Sequence, residues 1–215
     1  MKSAVRTAPP AMPAALRTPL LVLAALAAVV LAVLGILFAG KSAPTAFDTP
    51  LLPSPDGIPD PWWYVARVID FCGEPLGSAI LLLAVVAGCL ALRRIRTAVL
   101  TLAGVGLTVV VTTALKPLVG RTIHGEFLSF PSGHTAMATA LALVLALAAA
   151  DHFALTPTTG TLLCLTCALI AGAAMAWAQV GLGAHYPTDT IGGFCAALAT
   201  VPTTARALDH LANRL

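Results

Sequence analysis

Long apolar runs separated by polar breaks dominate the pattern of this chain. An α-helix rises about 1.5 Å per residue, so about 20 apolar residues are enough to cross the hydrocarbon core of a bilayer. The pattern therefore predicts an all-α fold, an integral membrane bundle of six transmembrane helices within residues 20–210. The predicted spans are 20–39, 76–92, 97–115, 135–150, 161–180 and 187–208.

Two stretches outside these spans are polar. Residues 1–19 carry three basic side chains and no acidic one, which indicates a basic tail. Residues 40–75 form the longest loop, and its prolines argue against a continuous helix through 44–61. The aromatic cluster at 62–64 is typical of a chain lying at the lipid headgroups. A lid or a substrate-recognition element is the alternative interpretation.

The composition agrees with a membrane protein. Hydrophobic residues make up 59% of the 215 residues and charged residues 10%, whereas soluble domains average about 25% charged. The formal net charge of +3 is small and confined to loops and ends, so no nucleic-acid partner is expected. Cys164 and Cys167 form a C-x-x-C pair inside an apolar run, which favours buried small residues over a redox pair.

The placement of arginines predicts the topology. Arg93, Arg94 and Arg96 stand together in the short break between the second and third spans. Positively charged loops remain in the cytoplasm, so this break is predicted to be cytoplasmic. Counting spans outward places both the N- and the C-terminus in the cytoplasm. The same count places loop 40–75 and the breaks 116–133 and 183–189 on the external face of the plasma membrane.

The first of these external breaks contains groups that bind anions. Lys116 and Arg121 are two cations at a membrane boundary, and Pro-Ser-Gly-His at 131–134 opens the fourth span. Ser132 can cap that helix, and the backbone N–H groups of Ser132 and Gly133, with the helix dipole, favour a phosphate. The alternatives are interfacial cations that snorkel to the headgroups and a plain serine cap beside an interfacial histidine.

The second external break places a histidine and an aspartate four residues apart. His185 and Asp189 flank a proline favoured in the first helical turn, so both side chains are predicted on one helix face. Asp189 can then accept the Nδ1–H of His185 and leave Nε2 as a nucleophile. A structural hydrogen bond is an alternative. A metal site is not expected, because Lys116 and Arg121 would repel a cation.

Together the two breaks supply the groups that phosphoryl transfer requires. The cations and the backbone N–H groups of the first break would hold the phosphate. His185 would attack phosphorus to form a phosphohistidine, and Asp189 would stabilise the imidazolium that develops. His134 would protonate the leaving oxygen and then activate water, with electrostatic stabilisation supplying most of the rate.

These residues resemble the type 2 phosphatidic acid phosphatases (PAP2). That family has the motifs K-x6-R-P, P-S-G-H and S-R-x5-H-x3-D on a six-helix bundle, and the resemblance covers roughly residues 76–205. The second motif matches completely at 131–134, and the third matches in His185 and Asp189. The resemblance implies a metal-independent phosphatase without a cofactor.

Four positions in two of these motifs hold different residues. In the first motif Lys116 is present, but Ile123 and His124 stand where the family has arginine and proline. In the third motif Ala178 and Gln179 replace serine and arginine. The chain therefore lacks two guanidinium groups, each of which is a bidentate and permanently charged phosphate ligand.

The loss of these two guanidinium groups has several alternative consequences. Arg121, His124 or Arg67 compensates for the missing charge, or the enzyme is slow, or it takes an unusual substrate. A lipid-binding relative without turnover is the remaining possibility, and Gln179 is the position that marks the altered phosphate site.

The resemblance implies a lipid phosphate or diphosphate as substrate: polyprenyl phosphate or diphosphate, phosphatidate or phosphatidylglycerol phosphate. The partners would be this substrate and the membrane lipids, with the site on the extracytoplasmic side. A lipid phosphotransferase and a non-catalytic lipid-phosphate binder or transporter are alternatives on the same scaffold. A structural membrane protein whose polar breaks only cap helices is a third.

Overall fold

Helices dominate the computed structural model, which describes residues 9–54 and 57–214. Within these ranges the helices are α1 (Arg17–Phe38), α2 (Trp62–Gly73), α3 (Pro75–Ala91), α4 (Ile95–Val119), α5 (Gly133–His152), α6 (Pro157–Gly181) and α7 (Pro187–Ala212). A short antiparallel hairpin, β1 (Thr122–Ile123) and β2 (Phe127–Leu128), connects α4 to α5. The prediction of an all-α fold is confirmed. Residues 1–8 of the predicted basic tail lie outside the described residues.

The helices coincide with the apolar runs that predicted the spans. Each of the six runs lies on a helix whose ends differ from the predicted ones by at most four residues. Among the described residues, α1, α4, α5, α6 and α7 are each long and apolar enough to cross a membrane. The pair α2–α3 passes that test only as one unit, which is bent by 65°. The count of six spans and their orientation therefore remain predictions.

Helix α2 is the main difference from the sequence prediction, because it lies in the segment 40–75 that was interpreted as a loop. It ends at Gly73 because Pro75 follows. The residue before a proline avoids the helical conformation, and Glu74 is extended with ψ 158°. Asp70 lies on the buried face of α2, whereas the aromatic residues of its first turn are exposed. The segment thus supplies an amphipathic helix that brings Asp70 to the bundle.

Helix α5 is the centre of the bundle and packs along α6 and α7. Small residues allow this close approach, because a side chain added at Gly172 on α6 would meet Thr139 on α5 and Phe194 on α7. Thr108 on α4 and Thr200 on α7 share a hydroxyl hydrogen bond of 2.6 Å. Helices in lipid lack a hydrophobic driving force for association, so small-residue packing and such hydrogen bonds hold them together.

Ion pairs connect the helices at the end of the bundle that lies away from the polar breaks 116–133 and 183–189. Arg94 at the start of α4 pairs with Asp151 near the end of α5 at 3.0 Å. Arg96 pairs with Asp209 at 3.2 Å, and Asp209 also accepts hydrogen bonds from the backbone N–H groups of residues 11 and 12. The arginine turn and the described parts of both chain ends therefore meet at one end, as the predicted topology requires.

We expect Asp209→Ala to lower the free energy of unfolding by about 3–5 kcal/mol, because it leaves Arg96 and two buried amides without their acceptor. Thermal unfolding in detergent measures this loss. Asp151→Ala is the matched control and should cost less, because its partner Arg94 and its own carboxylate are both partly exposed. Equal losses in the two variants would contradict a special role for Asp209.

Candidate active site

The two polar breaks, 116–133 and 183–189, meet at the other end of the bundle. The backbone N–H of Ser132 donates to the carbonyl of Asp189 at 2.9 Å. This close approach requires glycine on α7, because a side chain at Gly193 would collide with the carbonyl of Ser132, and one at Gly192 would meet the ring of Phe130. The predicted association of the two breaks is thus present in the fold, through main-chain contact.

His185 and Asp189 lie together at the start of α7, as their spacing indicated. Nδ1 of His185 is 3.6 Å from Oδ2 of Asp189, which is an electrostatic contact beyond hydrogen-bond range. The same oxygen accepts the backbone N–H of Tyr186 at 2.9 Å and so closes a capping box at the helix start. His185 is buried, and its Nε2 is the nitrogen that faces away from the carboxylate.

Arg121 occupies a different position from the one expected of a phosphate ligand. Its guanidinium is fully buried, and Nη1 donates to Asp189 Oδ1 at 2.6 Å and to Thr188 Oγ1 at 2.6 Å. The guanidinium also stacks between the rings of Phe38, at 4.2 Å, and Tyr186, at 4.6 Å. Arg121 therefore contacts the aspartate of the histidine pair and is enclosed by protein on both of its faces.

Asp48 is the second acid that holds Arg121, and sequence reasoning did not identify it. Its Oδ2 accepts from Nη2 of Arg121 at 3.0 Å. Burial opposes ionisation, but hydrogen bonds donated by Thr45 and Thr188 outweigh it and hold the pKa of the Asp48 carboxyl below its ordinary value. A single aspartate in a proline-rich segment gives no spacing signal, so only the tertiary contact identifies it.

Ser132 caps α5 as predicted, through a hydrogen bond of 3.3 Å from the N–H of Thr135 to its Oγ. Its own backbone N–H is not free, because it donates to Asp189. A helix leaves its first N–H groups without intrahelical partners. The N–H groups of Gly133 and His134 are therefore the ones at this helix start that are suited to an anion.

Lys116 lies at the end of α4 and is half-buried. Its Nζ donates to the carbonyl of Leu128 on the hairpin at 3.1 Å. An ammonium has three N–H donors, so this one bond leaves two for another acceptor. Lys116 is thus the first-motif residue whose charge can reach a ligand.

His134 faces an acid that the sequence analysis did not place at the site. Its Nε2 is 3.6 Å from Oδ1 of Asp70 on α2. The same oxygen accepts a hydrogen bond of 2.5 Å from the side-chain amide of Gln179 on α6, and Oδ2 pairs with Arg67 at 2.8 Å. The i,i+3 spacing of Arg67 and Asp70 would have indicated this pair, had α2 been recognised as a helix.

His124 lies in the turn of the hairpin with a left-handed φ of 54°, and it is exposed. Its Nε2 is 2.8 Å from the carbonyl oxygen of Gly183, so the imidazole connects the hairpin to the second break. This contact ties together the segments that flank the site. It does not direct His124 at either histidine–aspartate pair.

A bundle of long apolar helices, with two histidines beside aspartates at one end and ion pairs at the other, is typical of a multi-pass membrane protein with a polar site at one end of its helices. The sequence profile of the PAP2 superfamily matches residues 97–210, more than half of the chain, and the chain is a member of this superfamily. The resemblance drawn from the motifs is thereby confirmed.

A solved structure has a similar fold. It is the crystal structure of the first transmembrane PAP2 type phosphatidylglycerolphosphate phosphatase from Bacillus subtilis, which matches with a TM-score of 0.57 and 21% sequence identity. The match covers 91% of this chain and 94% of that chain. At this level of identity the similarity concerns the fold. No curated protein matches the sequence.

We expect Arg121→Met to lower the free energy of unfolding by about 3–5 kcal/mol, because it leaves the buried carboxylates of Asp48 and Asp189 without a counter-charge. Thermal unfolding in detergent checks this. Arg93→Met, which removes an exposed arginine, serves as the control. Unchanged stability together with weaker phosphate binding would instead restore Arg121 as a phosphate ligand.

Proposed function

We propose that this protein is a membrane lipid phosphatase that acts through a phosphohistidine intermediate. The observation that carries the proposal is the pairing of His185 with Asp189 beside His134 and Lys116, at one end of a PAP2 bundle. A nucleophile oriented by a carboxylate, a second histidine and a cation are the parts that phosphoryl transfer needs. A protein that only binds a lipid phosphate has no need for the oriented nucleophile.

The first step transfers the phosphoryl group to the enzyme. The lone pair on Nε2 of His185 forms an N–P bond while the bond between phosphorus and the lipid oxygen breaks. A proton passes from His134 to that oxygen, so the lipid leaves as an alcohol when the substrate is a monoester. Asp189 stabilises the positive charge that develops on the imidazole of His185.

The second step regenerates the enzyme. His134, now neutral, takes a proton from water, and the water oxygen displaces His185 from phosphorus to release inorganic phosphate. In both steps the charge on the phosphoryl oxygens faces Lys116 and the N–H groups of Gly133 and His134 at the start of α5. These donors are fixed before the reaction by the helix and by the contact of Lys116 with the hairpin.

Arg121 acts in this proposal as a positioning residue. It holds Asp189 by a 2.6 Å hydrogen bond while Asp189 faces His185. Arg67 is an auxiliary residue in this proposal, because its half-exposed guanidinium pairs with Asp70 on α2 at 2.8 Å. It supplies a positive charge near His134, in partial compensation for the arginine that Gln179 replaces.

The substrate is a lipid that carries a terminal phosphate. The site lies at the end of a bundle of apolar helices, so the headgroup reaches it while the tail remains in the bilayer. The arginine turn at the opposite end supports an external location for the site. The similar structure is described as a phosphatidylglycerolphosphate phosphatase, so that lipid belongs among the substrates tested beside phosphatidate and polyprenyl phosphates.

We expect phosphate release from at least one of these lipids by the purified protein in detergent, with EDTA present. His185→Ala should reduce the rate to background, because the nucleophile is lost. His152→Ala is the matched control and should keep the wild-type rate, since His152 lies at the far end of α5. An acid-labile, base-stable phosphoenzyme in the wild type but not in His185→Ala would report the phosphohistidine.

Other outcomes of the same assay separate the alternatives. Lipid binding without release by any substrate would favour a non-catalytic binder or transporter. Transfer of the phosphate to an added lipid alcohol, in place of water, would favour a phosphotransferase. Release that survives in His185→Ala would refute the proposed nucleophile.

We also expect Gly73→Ala to reduce phosphate release by about 10- to 100-fold, because a Cβ at Gly73 would lie 2.8 Å from Cγ of His134 and displace its imidazole. Steady-state rates of the folded variant measure this effect. Gly88→Ala on α3 is the matched control, since a Cβ there meets open space. Equal rates for the two variants would show that the position of His134 is not critical.

A further inference from the structure

Asp70 is a buried acid with no counterpart in the three sequence motifs. It is 8% exposed and joins three helices: it belongs to α2, faces His134 on α5 and accepts a hydrogen bond from Gln179 on α6. Arg67 neutralises its second oxygen. Burial of a carboxylate costs free energy unless it is paired. Gln179 and Arg67 are the two partners that stabilise the carboxylate of Asp70 beside His134.

The contact sets which nitrogen of His134 is available. Nε2 is the nitrogen within 3.6 Å of Asp70, so Nδ1 is left for a substrate oxygen. Contacts of this kind are often long in the absence of substrate and shorten in the reacting complex. The arrangement repeats the logic of His185 and Asp189, with the two nitrogens exchanged: one pair leaves Nε2 as a nucleophile, and the other leaves Nδ1 as a proton donor.

The charged and titratable groups that face His134 come from four parts of the chain. Burial of the imidazole disfavours a positive charge on it, as do Lys116 on α4 and His185 before α7, while Asp70 on α2 and Glu74 after it favour one. Asp70 is the acid in direct range, at 3.6 Å. Without it, burial and the ammonium group of Lys116 would favour the neutral form of His134, which cannot donate a proton to a leaving group.

We propose that Asp70 is a positioning residue that orients His134 and stabilises its protonated form for general-acid catalysis, held in place by Gln179 and Arg67. This inference rests on the proposed phosphatase function and deepens it. The replacement of the family arginine by Gln179 then has a function of its own, because the amide hydrogen-bonds to the acid that the histidine needs.

The proposal also defines the class of substrate. General-acid catalysis contributes most when the leaving oxygen is strongly basic, because the proton then stabilises the departing group most. The leaving group of a lipid phosphomonoester is an alkoxide, which needs this proton. The leaving group of a lipid diphosphate is a lipid phosphate, which needs the proton less. A site with a dedicated partner for its acid is therefore built for lipid phosphomonoesters.

The test compares two substrates in Asp70→Asn, which removes the charge and retains the shape. kcat/KM reports the steps up to loss of the leaving group. For an alkyl lipid phosphate we expect a fall of about 10- to 100-fold. For 4-nitrophenyl phosphate, whose phenolate departs without a proton, we expect a change within about threefold. The P–O bond breaks in both cases, and only the source of the proton on oxygen differs.

Asp151→Asn is the matched control, since it removes a paired carboxylate at the other end of the bundle. It should leave both values of kcat/KM unchanged. Equal losses for the two substrates in Asp70→Asn would reduce Asp70 to a structural residue and overturn the proposal. The absence of any loss would overturn it as well.

A second measurement does not depend on turnover and separates this proposal from the phosphatase assignment. Diethyl pyrocarbonate modifies only the neutral imidazole, so the pH dependence of His134 modification, read by mass spectrometry, reports its protonation. In Asp70→Asn the midpoint should fall by about one pH unit or more. An unchanged midpoint would refute the pairing of Asp70 with His134. An inactive wild type with a shifted midpoint would refute only the phosphatase function.

Discussion

The buried guanidinium of Arg121 is the interaction on which the rest of this site depends. It lies between two carboxylates, Asp48 and Asp189, that come from segments far apart in the chain. Each of these buried charges is stabilised by the others, because the desolvation cost of an isolated ion is far larger than the energy of any single contact. Folding of the long segment before α2, the turn after α4 and the start of α7 is therefore coupled. His185, the nucleophile of the proposed mechanism, lies two residues before the start of α7 and faces Asp189 of this cluster.

This use of Arg121 changes how the chain relates to its family. The position of Arg121 near the first motif suggested that it replaces a missing phosphate ligand. Its guanidinium instead pairs with the carboxylates of Asp48 and Asp189. In the proposed mechanism, phosphate recognition falls to Lys116 and to the start of α5. With fewer guanidinium groups than the family motifs contain, the proposed site would depend more on helix N–H donors and on proton transfer. Asp70 beside His134 is consistent with this dependence on proton transfer, because proton donation lowers the activation barrier even where few charged groups bind the phosphate.

Glycines and small residues make this arrangement possible. Gly193 allows the main chain of the Pro-Ser-Gly-His segment to hydrogen-bond to the start of α7, and Gly73 allows α2 to lie directly against His134. Threonine hydroxyls and Gly172 serve the same purpose lower in the bundle, where lipid offers no hydrophobic drive for association. The close backbone contacts fix the histidines on rigid elements, which is what a transfer between two precisely spaced groups requires.

The sequence by itself determined the six helices on the apolar runs, the family and the histidine–aspartate pair at the start of α7. These features depend on local patterns: the length of an apolar run, a four-residue spacing on one helix face and a contiguous motif. It also indicated that both polar breaks lie at the same end of the bundle, because two predicted spans separate them and the chain therefore returns to the same side. Tertiary structure alone decided the roles of Asp48, Asp70, Arg121 and Gln179. Each of these roles is set by a partner about 70 or more residues away. The energy of a buried charge depends on that partner, and no local spacing encodes it.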